Sequence, residues 1–316
     1  MSSADDLNPE DFAEAAGAAI ANAQGKANVA TVLAEAGLFS VSVPEDAGGM
    51  GLGLEFAVPV ARVAGEKQLR FPLVDQILLA RALADTDAGA AVLAGKTVGT
   101  IAWQGSLDAG FASHAGFAGQ AQVMLVADGD GAALIDLALV TLVLDDALDP
   151  EFPQGEALLD TPAILARLDA AAWGALQAEA RVLLAAYAIG AAQGALDRTA
   201  AYMATRVQFG RPLSAKQAVR HTLAQMKLLT DVSQAALRRA LLADEFGQSR
   251  SADGAFVGAV TNATFVVEKA IQLHGGIGFT WELPLHWSLR DVKRIALAMR
   301  TGTATQALGA AFIDAA

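Results

Sequence analysis

The chain has 316 residues and a formal net charge of -12, with 54% hydrophobic but only 6% aromatic residues. A chain of this length can bury one or two cores, and an interior filled mainly by small aliphatic residues is typical of packed helices. The chain has no cysteine, which excludes a disulfide scaffold, a Cys-ligated zinc site and a thiol nucleophile.

Composition and charge also limit the cellular location and the partners that we expect for the protein. The first residues, MSSADDLNPEDFAEAA, are polar and acidic, so we expect no signal peptide and a cytoplasmic protein. Charges and glycines interrupt each apolar run, so we expect no membrane segment. Residues 1–180 carry 7 Lys and Arg against 25 Asp and Glu (-18), and residues 181–316 carry 15 against 9 (+6). The overall acidity argues against a nucleic-acid partner.

Residues 1–98 predict an N-terminal helical domain, because PEDFAEAAGAAIANAQ, NVATVLAEAG and later segments have helical spacing. The stretch from Val41 to Gly53 contains Pro44 and several glycines, which predict an ordered loop. Residues 99–155 contain short apolar runs separated by turn signals such as DGDG at 128–131, which predict a small β-domain.

Residues 156–316 predict a bundle of long antiparallel helices. The first helix should run from about Leu168 to Phe209, because Gly210 and Pro212 end it. Ser214 should begin the second helix, with Ser214 and Gln217 as a capping box. The remaining helices are predicted at about 255–273, 285–299 and 304–312.

The segment RVQFGRPLSAKQAVRHTLAQMK, residues 206–227, holds five positive side chains and no acid. If Arg206 and Phe209 share the last helical turn, they face one side, where the guanidinium suits a phosphate and the ring suits an apolar ring system. The later HGGIGF would let backbone approach a ligand closely. Together these features suit an adenine dinucleotide, although helix capping and turn formation explain each one singly. The residues alone indicate a helical bundle with a phosphate-binding corner.

Two long segments resemble a known family. LDRTAAYMATRVQFGRPLSAKQAVRHTLAQM is similar to the C-terminal bundle of acyl-CoA dehydrogenases, in which a helix ends in Arg-x-x-Phe-Gly, followed by Pro-Leu and Gln. AIQLHGGIGFTWELPLHWSLRDVKR resembles the Gln-x-x-Gly-Gly-x-Gly segment and the Arg-Asp pair of that family. LAEAGLFSVSVPEDAGGMGLG resembles a loop of its N-terminal helical domain. The resemblance covers nearly the whole chain in the same order.

The resemblance implies a mostly α fold: an N-terminal helical domain, a middle β-domain, here reduced, and a C-terminal four-helix bundle. It implies α,β-desaturation of an acyl-CoA thioester with FAD, and electron-transfer flavoprotein as acceptor. In this family each FAD lies across a subunit interface. The residues that would hold the adenine and diphosphate part of a neighbour's FAD are Arg206, Gln208, Phe209, Gln217, Gln272, Gly275, Gly276 and Gly278.

The chain departs from the family at the catalytic base. The usual Glu of a Glu-Gly-Thr stretch is replaced here by Thr301, or by Met299 if no gap is allowed after Arg290. Other members place the base on the long helix, where this chain has Ala180. Glu179 is one residue away, and one helical step turns a side chain by ~100°. Glu179 is therefore only a reserve candidate, and a solvated helix charge is its simpler interpretation.

The middle domain also lacks the Thr-Glu-Pro…Gly-Ser and Trp-Ile-Thr stretches that contact the flavin. The base and the flavin platform are thus missing while the clasp for a neighbour's FAD is kept. This combination resembles the non-catalytic subunit of the heteromeric (α2β2) acyl-CoA dehydrogenases of bacterial steroid side-chain catabolism, which implies a second, catalytic subunit as partner. The alternatives are a complete homomeric dehydrogenase that uses Glu179, a flavin-free structural homologue and an acyl-CoA-binding module. The four histidines suggest no metal site.

Overall fold

Five helices form the N-terminal region of the computed structural model, which describes residues 7–150, 152–243, 247 and 250–314. They are α1 (Asp11–Ala23), α2 (Val29–Glu35), α3 (Leu54–Glu66), α4 (Leu73–Ala82) and α5 (Asp87–Leu93). Thr86 caps α5, because its hydroxyl accepts a hydrogen bond from the backbone N–H of Gly89. The expected loop at 41–53 contains only one 3₁₀ turn, Glu45–Ala47.

A mixed sheet of seven strands follows, in the order β5-β6-β2-β1-β3-β4-β7. Its strands are β1 (Gly99–Ser106), β2 (Phe111–Ala115), β3 (Val123–Asp128), β4 (Gly131–Asp136), β5 (Thr141–Asp145), β6 (Gln154–Leu158) and β7 (Ile164–Leu168). Only β1 and β3 pair in parallel; the other neighbours are antiparallel. The sheet therefore continues beyond residue 155, where the sequence placed the end of the β-domain.

The C-terminal helices are α6 (Ala170–Thr205), α7 (Gln217–Leu241), α8 (Asp253–His274), α9 (Leu285–Ala298) and α10 (Thr301–Asp314). Asp169 caps α6 through a hydrogen bond from the backbone N–H of Ala172. The expected class, mostly helical with a small sheet, is confirmed. No helix among the described residues is long and apolar enough to cross a membrane.

The first two bundle helices differ from the sequence-based expectation at their facing ends. The helix α6 ends at Thr205 rather than Phe209, since Phe209 and Gly210 both take positive φ angles of 56° and 77°. They form the turn of a hairpin between β8 (Val207–Gln208) and β9 (Arg211–Pro212). Two consecutive residues with positive φ are the signature of a tight hairpin turn.

The prediction of a capping box formed by Ser214 and Gln217 was also wrong. Ser214 lies in a 3₁₀ turn, Leu213–Ala215, and α7 begins only at Gln217. Lys216 occupies the N-cap position and provides no side-chain hydrogen bond. The carbonyl of Ser214 instead accepts a hydrogen bond from the Arg220 guanidinium at 2.8 Å.

Close contact between α3 and α6 joins the N-terminal helices to the bundle. An added Cβ at Gly190 would lie 1.8 Å from the carbonyl oxygen of Arg62, and one at Gly65 would lie 2.0 Å from that of Tyr187. A Cβ at Gly194 would approach the carbonyl of Glu66 to 2.7 Å. Only glycine permits backbones to approach this closely, so these three residues set the separation of the two helices.

We therefore expect Gly190→Ala to lower the free energy of unfolding by about 3 kcal/mol, because the new methyl group must push α3 away from α6. Chemical denaturation of the purified chain measures this change. Gly174→Ala is the matched control in the same helix, since nothing lies within 4 Å of its added Cβ. The control should be neutral or stabilise the chain by about 0.5 to 1 kcal/mol. Equal effects of the two substitutions would show that the glycine contact does not set the helix separation.

Candidate functional site

The C-terminal ends of α6 and α8 lie side by side at one end of the bundle. The rings of Tyr202 and His274, one on each helix, stack with their centroids 4.6 Å apart and 13° between their planes. The Nδ1 atom of buried His274 lies 2.8 Å from the carbonyl oxygen of Ala270. This stack brings the hairpin after α6 and the glycine-rich turn after α8 to the same surface.

We call this surface the corner. It consists of Arg206, the hairpin and the turn Gly275–Phe279, together with Gln217 at the start of α7 and Gln272 near the end of α8. The sequence-predicted residues here are exposed: Arg206, Gln208, Phe209, Gln217, Gln272, Gly275 and Gly276. The structure therefore gathers the predicted set at one place and leaves it open to an external ligand.

Phe209 is the most prominent residue of the corner. Its side chain is 90% exposed, and its ring lies under the Lys216 ammonium, 4.7 Å from Nζ to the ring centroid. The expectation that Arg206 and Phe209 share a helical turn was wrong, because Arg206 ends the helix and Phe209 lies at the hairpin tip. A large apolar ring this exposed, held by a tight turn, offers a flat surface to a ligand or a second chain.

The glycines of the corner have two different roles. Gly275 takes φ 66° and ψ -141°, a conformation that is nearly confined to glycine, and both Gly275 and Gly276 have open space where a Cβ would lie. Gly278 is buried, and its Cβ would lie 2.3 Å from the carbonyl oxygen of Ile271. Gly278 thus closes the turn against α8, whereas Gly275 and Gly276 leave backbone accessible.

The corner is positively charged. Arg206, Arg211, Lys216 and Arg220 have no carboxylate within 4 Å among the residues that the structure describes. Exposed guanidinium groups, an aromatic plate and accessible glycine backbone are a donor set that fits the adenine and diphosphate end of FAD. The nearby Gln272 accepts a hydrogen bond from Lys269 at 2.9 Å.

The three positions at which the family alignment places the catalytic base hold Thr301, Met299 and Ala180, and none of these side chains can act as a base at neutral pH. Thr301 is buried, and its hydroxyl donates to the carbonyl of Ala296 at 3.0 Å. Met299 is partly buried, and Ala180 is fully buried. Glu179 lies 3.1 Å from the Arg81 guanidinium. Burial raises the pKa of Glu179 and the charge of Arg81 opposes that shift.

A buried ionic cluster, which the sequence reasoning missed, joins the three regions of the chain. Arg70 after α3 pairs with Asp149 after β5 and lies 3.2 Å from Asp291 on α9. Asp291 also pairs with Arg294 and accepts a hydrogen bond from the Tyr187 hydroxyl at 2.8 Å. We call these residues the junction. The sequence signal for the junction is the Arg-Asp pair at 290–291, which the sequence alone connects only with the family resemblance.

Aromatic rings cover the junction. The Arg70 guanidinium lies 4.3 Å from the ring centroid of Phe152 and 5.5 Å from that of Trp287. Burial, followed by the charge of Asp291 and the hydrogen bond to it, raises the pKa of Tyr187 well above its ordinary value. Tyr187 therefore stays protonated and serves as a fixed donor to Asp291.

A small cavity of about 90 Å³ lies beside the junction, lined by residues that include Asp75, Trp103, Phe117 and Tyr187. Asp75 accepts hydrogen bonds from the backbone N–H of Ile101 and the hydroxyl of Thr100, at 3.1 and 3.2 Å. Burial raises the pKa of Asp75 to about 7, although both hydrogen bonds and the Arg294 charge lower it. Pockets for drug-sized ligands usually measure ~300 Å³ or more, so this cavity is too small for a flavin ring.

A second, polar cavity of about 260 Å³ lies on the other side of Trp103 and Ala298. Its lining includes Gln104, Gln177, Arg181, Met299 and Arg300, and no carboxylate or histidine lines it among the residues that the structure describes. Gln177 and Arg181 are four residues apart and share one face of α6. Glu179 does not line either cavity.

Comparison with known proteins identifies the bundle. Residues 171–309 match the family described as acyl-CoA dehydrogenase, C-terminal domain. These residues are an acyl-CoA dehydrogenase C-terminal domain. The chain is similar to acyl-CoA dehydrogenase FadE34 of Mycobacterium tuberculosis, with 31% identity over 274 residues. That match covers 82% of this chain but only 38% of FadE34, so the chain spans well under half of the length of this relative.

Solved structures extend the likeness to the whole chain. The "Tcur3481-Tcur3483 steroid ACAD G363A variant" has a TM-score of 0.82 and 25% identity, covering 97% of this chain and 98% of that one. The ChsE4-ChsE5 complex from Mycobacterium tuberculosis has a TM-score of 0.80 and 20% identity, covering 96% and 97%. The expected acyl-CoA dehydrogenase fold is therefore confirmed over nearly the entire length.

The raised pKa of Asp75 makes a testable contribution to stability. The folded-state pKa of about 7 exceeds the unfolded value near 3.8, so the folded state binds the additional proton between these values. The free energy of unfolding should then fall as pH rises from 5 to 8, by on the order of 2 kcal/mol from this group.

Asp75→Asn should remove this contribution, because an amide oxygen can accept the same two hydrogen bonds without a charge. Urea denaturation at pH 5 and at pH 8 measures the difference. The variant should gain stability relative to the wild type as pH rises. Asp108→Asn, at an exposed position in the sheet region, is the control. Parallel pH profiles for wild type and Asp75→Asn would rule out Asp75 as the titrating group.

Removing Arg70 should be severe. Arg70→Met leaves the buried carboxylates of Asp149 and Asp291 without this cation, and we expect a loss of about 3 to 5 kcal/mol in unfolding free energy. Arg62→Met is the matched control, since Arg62 pairs with a Glu10 side chain that is 62% exposed, and should cost under about 1 kcal/mol for the lost ion pair. A similarly small loss for Arg70→Met would contradict a structural role of the junction.

Proposed function

We propose that this chain is the non-catalytic subunit of a FAD-dependent acyl-CoA dehydrogenase built from two unlike subunits. Its corner would hold the adenine and diphosphate end of FAD that is bound mainly by the partner subunit. One observation carries the proposal. The side chains expected to hold the adenine and diphosphate end of FAD, from Arg206 to Gln272, are exposed on the surface, while the expected base positions hold Thr301, Met299 and Ala180.

The exposure of the corner favours a ligand shared with a second chain. Phe209, Phe279 and Trp281 are 90%, 80% and 56% exposed, and large apolar side chains grouped in this way are typical of surfaces that a partner covers. Arg206 and the accessible backbone at Gly275 and Gly276 lie on the same surface. A cofactor bound there would be enclosed only when another subunit covers its other side.

The two cavities of this chain support the proposal that the chain does not itself catalyse the desaturation. Bound FAD supplies the hydride acceptor of α,β-desaturation, and the reaction also needs a base for the α proton. Among the described residues, no base lines the polar cavity beside Met299. The small cavity beside the junction does contain Asp75, but this carboxyl group accepts hydrogen bonds from Ile101 and Thr100, and the cavity is too small for a flavin ring. This chain would orient the cofactor, and the partner would supply the base and the flavin platform.

The proposed substrate class is an acyl-CoA thioester with a steroid side chain. The structural neighbour with 25% identity is named as a steroid ACAD, and its name joins two proteins, Tcur3481 and Tcur3483. We accordingly propose an α2β2 heterotetramer in the cytoplasm, active in steroid and lipid breakdown by β-oxidation, with electron-transfer flavoprotein as the acceptor. The family likeness supports these assignments.

Two alternatives remain distinguishable. A homomeric dehydrogenase that uses Glu179 would need this residue to reach a substrate, but Glu179 pairs with Arg81 and does not line either cavity. A flavin-free structural homologue would have no use for the exposed Arg206, Phe209 and glycine backbone together. The proposal that this chain shares a FAD site with a partner accounts both for the exposed corner residues and for the missing catalytic base.

Flavin content per chain in native complexes of known mass tests the proposal. We would purify this chain alone and co-expressed with the acyl-CoA dehydrogenase-like subunit encoded beside it. We expect one FAD per unlike pair, and a colourless or unstable single chain. One FAD per chain with activity in the absence of a partner would favour the homomeric enzyme, and Glu179→Gln would then abolish activity. No flavin in either preparation would leave the structural homologue.

Arg206→Gln in the co-expressed complex tests the corner directly. Loss of a charge-assisted contact to the diphosphate should weaken FAD retention about tenfold, since such hydrogen bonds contribute ~1.5 kcal/mol or more. Dialysis followed by measurement of flavin absorbance gives the retained fraction. Arg239→Gln removes an exposed charge near the far end of α7 and should retain FAD like the wild type. Equal retention by the two variants would contradict the role of Arg206.

A further inference from the structure

The polar cavity beside Trp103 has a positive lining. Arg181 from α6 and Arg300 from the turn between α9 and α10 both line it, with the side chains of Gln104 and Gln177. No acidic residue lines it within the described part of the chain. The nearest acid paired with the lining is Asp253, which lies 3.0 Å from Nε of Arg181 and is itself 44% exposed. Arg300 has no carboxylate within 4 Å in the described part of the chain.

Arg300 is held in an unfavourable backbone conformation. Its φ is 48°, a left-handed value that costs a residue with a Cβ roughly 1 to 2 kcal/mol and that glycine would adopt freely. Strained positions cluster at functional sites, where the side chain is needed in a particular place. Arg300→Gly would therefore remove the guanidinium and relieve the backbone strain at the same time.

Neighbouring groups fix the position of the Arg300 guanidinium. It donates to the side-chain oxygen of Gln104 at 3.2 Å, and the amide nitrogen of Gln104 donates to the carbonyl of Leu297 at 2.9 Å. The backbone N–H of Arg300 donates to the same carbonyl at 3.2 Å. Both Arg300 and Gln104 are thus anchored to the last turn of α9, so a ligand meets a preorganised donor.

The positive charge of Arg300 also affects the nearby His114. Burial lowers the pKa of His114 and the charge of Arg300 lowers it further, although the Glu156 carboxylate opposes this shift. His114 therefore favours its neutral form, and Arg300 is the arginine of the lining whose charge is not paired with a described carboxylate, since Arg181 pairs with Asp253. A cavity of this kind attracts an anion and repels a cation.

We propose that this cavity binds a small organic oxyanion, with its carboxylate or phosphate group between Arg181 and Arg300 and its apolar body against Trp103 and Met299. Two guanidinium groups suit the planar or tetrahedral oxygens of these groups, which accept paired hydrogen bonds. The volume of about 260 Å³ accommodates a compact anion of benzoate size. The Trp103 ring, stacked on Trp173 at 6.4 Å between centroids, forms a rigid wall for the apolar part.

This ligand differs from the substrate of the proposed function. A thioester is uncharged at its reacting carbons, so it gives two arginines no carboxylate or phosphate at that point. The residues proposed to hold the anion, Arg181 and Arg300, belong to this chain. The binding proposal therefore stands or falls independently of the FAD-sharing proposal, and the two have separate measurements.

Benzoate, phenyl phosphate and inorganic phosphate are the probes. Each is titrated into the chain and into its co-expressed complex at low, constant ionic strength, with sodium chloride as reference. Isothermal titration calorimetry measures saturable binding, and thermal melting measures stabilisation. Binding of benzoate and phenyl phosphate but not of inorganic phosphate would show that the apolar wall contributes. Binding of all three would show that the oxyanion dominates. Either result supports the site, and no saturable binding of any probe at millimolar concentrations overturns it.

Arg300→Gly gives the sharper test. It removes the guanidinium and relieves the left-handed strain, so we expect binding weakened about tenfold or more together with a melting temperature equal to or above that of the wild type. Arg181→Gln should weaken binding similarly, and Arg239→Gln, with the same loss of charge at a distant surface, should not. Wild-type affinity in Arg300→Gly would overturn the proposal, and the melting temperature of the same sample separates a loss of binding from a loss of folding.

Discussion

The buried ion pairs of Arg70 with Asp149 and Asp291 are the contact on which the arrangement of the whole chain depends. Arg70 follows the N-terminal helix α3, Asp149 leaves the sheet and Asp291 belongs to the bundle. Removing such charges from water is costly, and the cost is offset only when every partner is in place. The three regions must therefore meet in one relative placement, because a displaced region would leave a charge buried without its counter-ion.

The junction and the corner use their charged groups in opposite ways. At the junction the carboxylate of Asp291 is shared within the chain, since it pairs with Arg294 and accepts a hydrogen bond from the Tyr187 hydroxyl. At the corner the chain leaves cations, an aromatic ring and glycine backbone uncovered. The buried charges of the chain are thus used to hold its own regions together, whereas the charges of the corner are free to meet a ligand or a second chain.

The sequence predicted the elements better than their ends. The helical spacing at 255–273 and 285–299 was sufficient, because those helices stop at a glycine run and a turn. The end of α6 could not be predicted from propensity, since Phe209 adopts a positive φ that only the hairpin imposes. The motif residues of the corner were found because they lie in two continuous segments. The junction was not, because Arg70, Asp149 and Asp291 are separated by long stretches of chain and only the fold brings them together.

The glycine contact between α3 and α6 also bears on how the protein is made. Gly65 touches a helix whose matching residues, Tyr187 and Gly190, come more than a hundred positions later. At ribosomal rates of ~5 to 20 residues per second, the apolar face of α3 waits on the order of ten seconds for its partner helix. Contacts between such distant segments form slowly. The early helices are therefore the part of the nascent chain that most needs to be shielded before the bundle emerges. A chaperone could shield them, or the ribosome could hold them until the bundle is made.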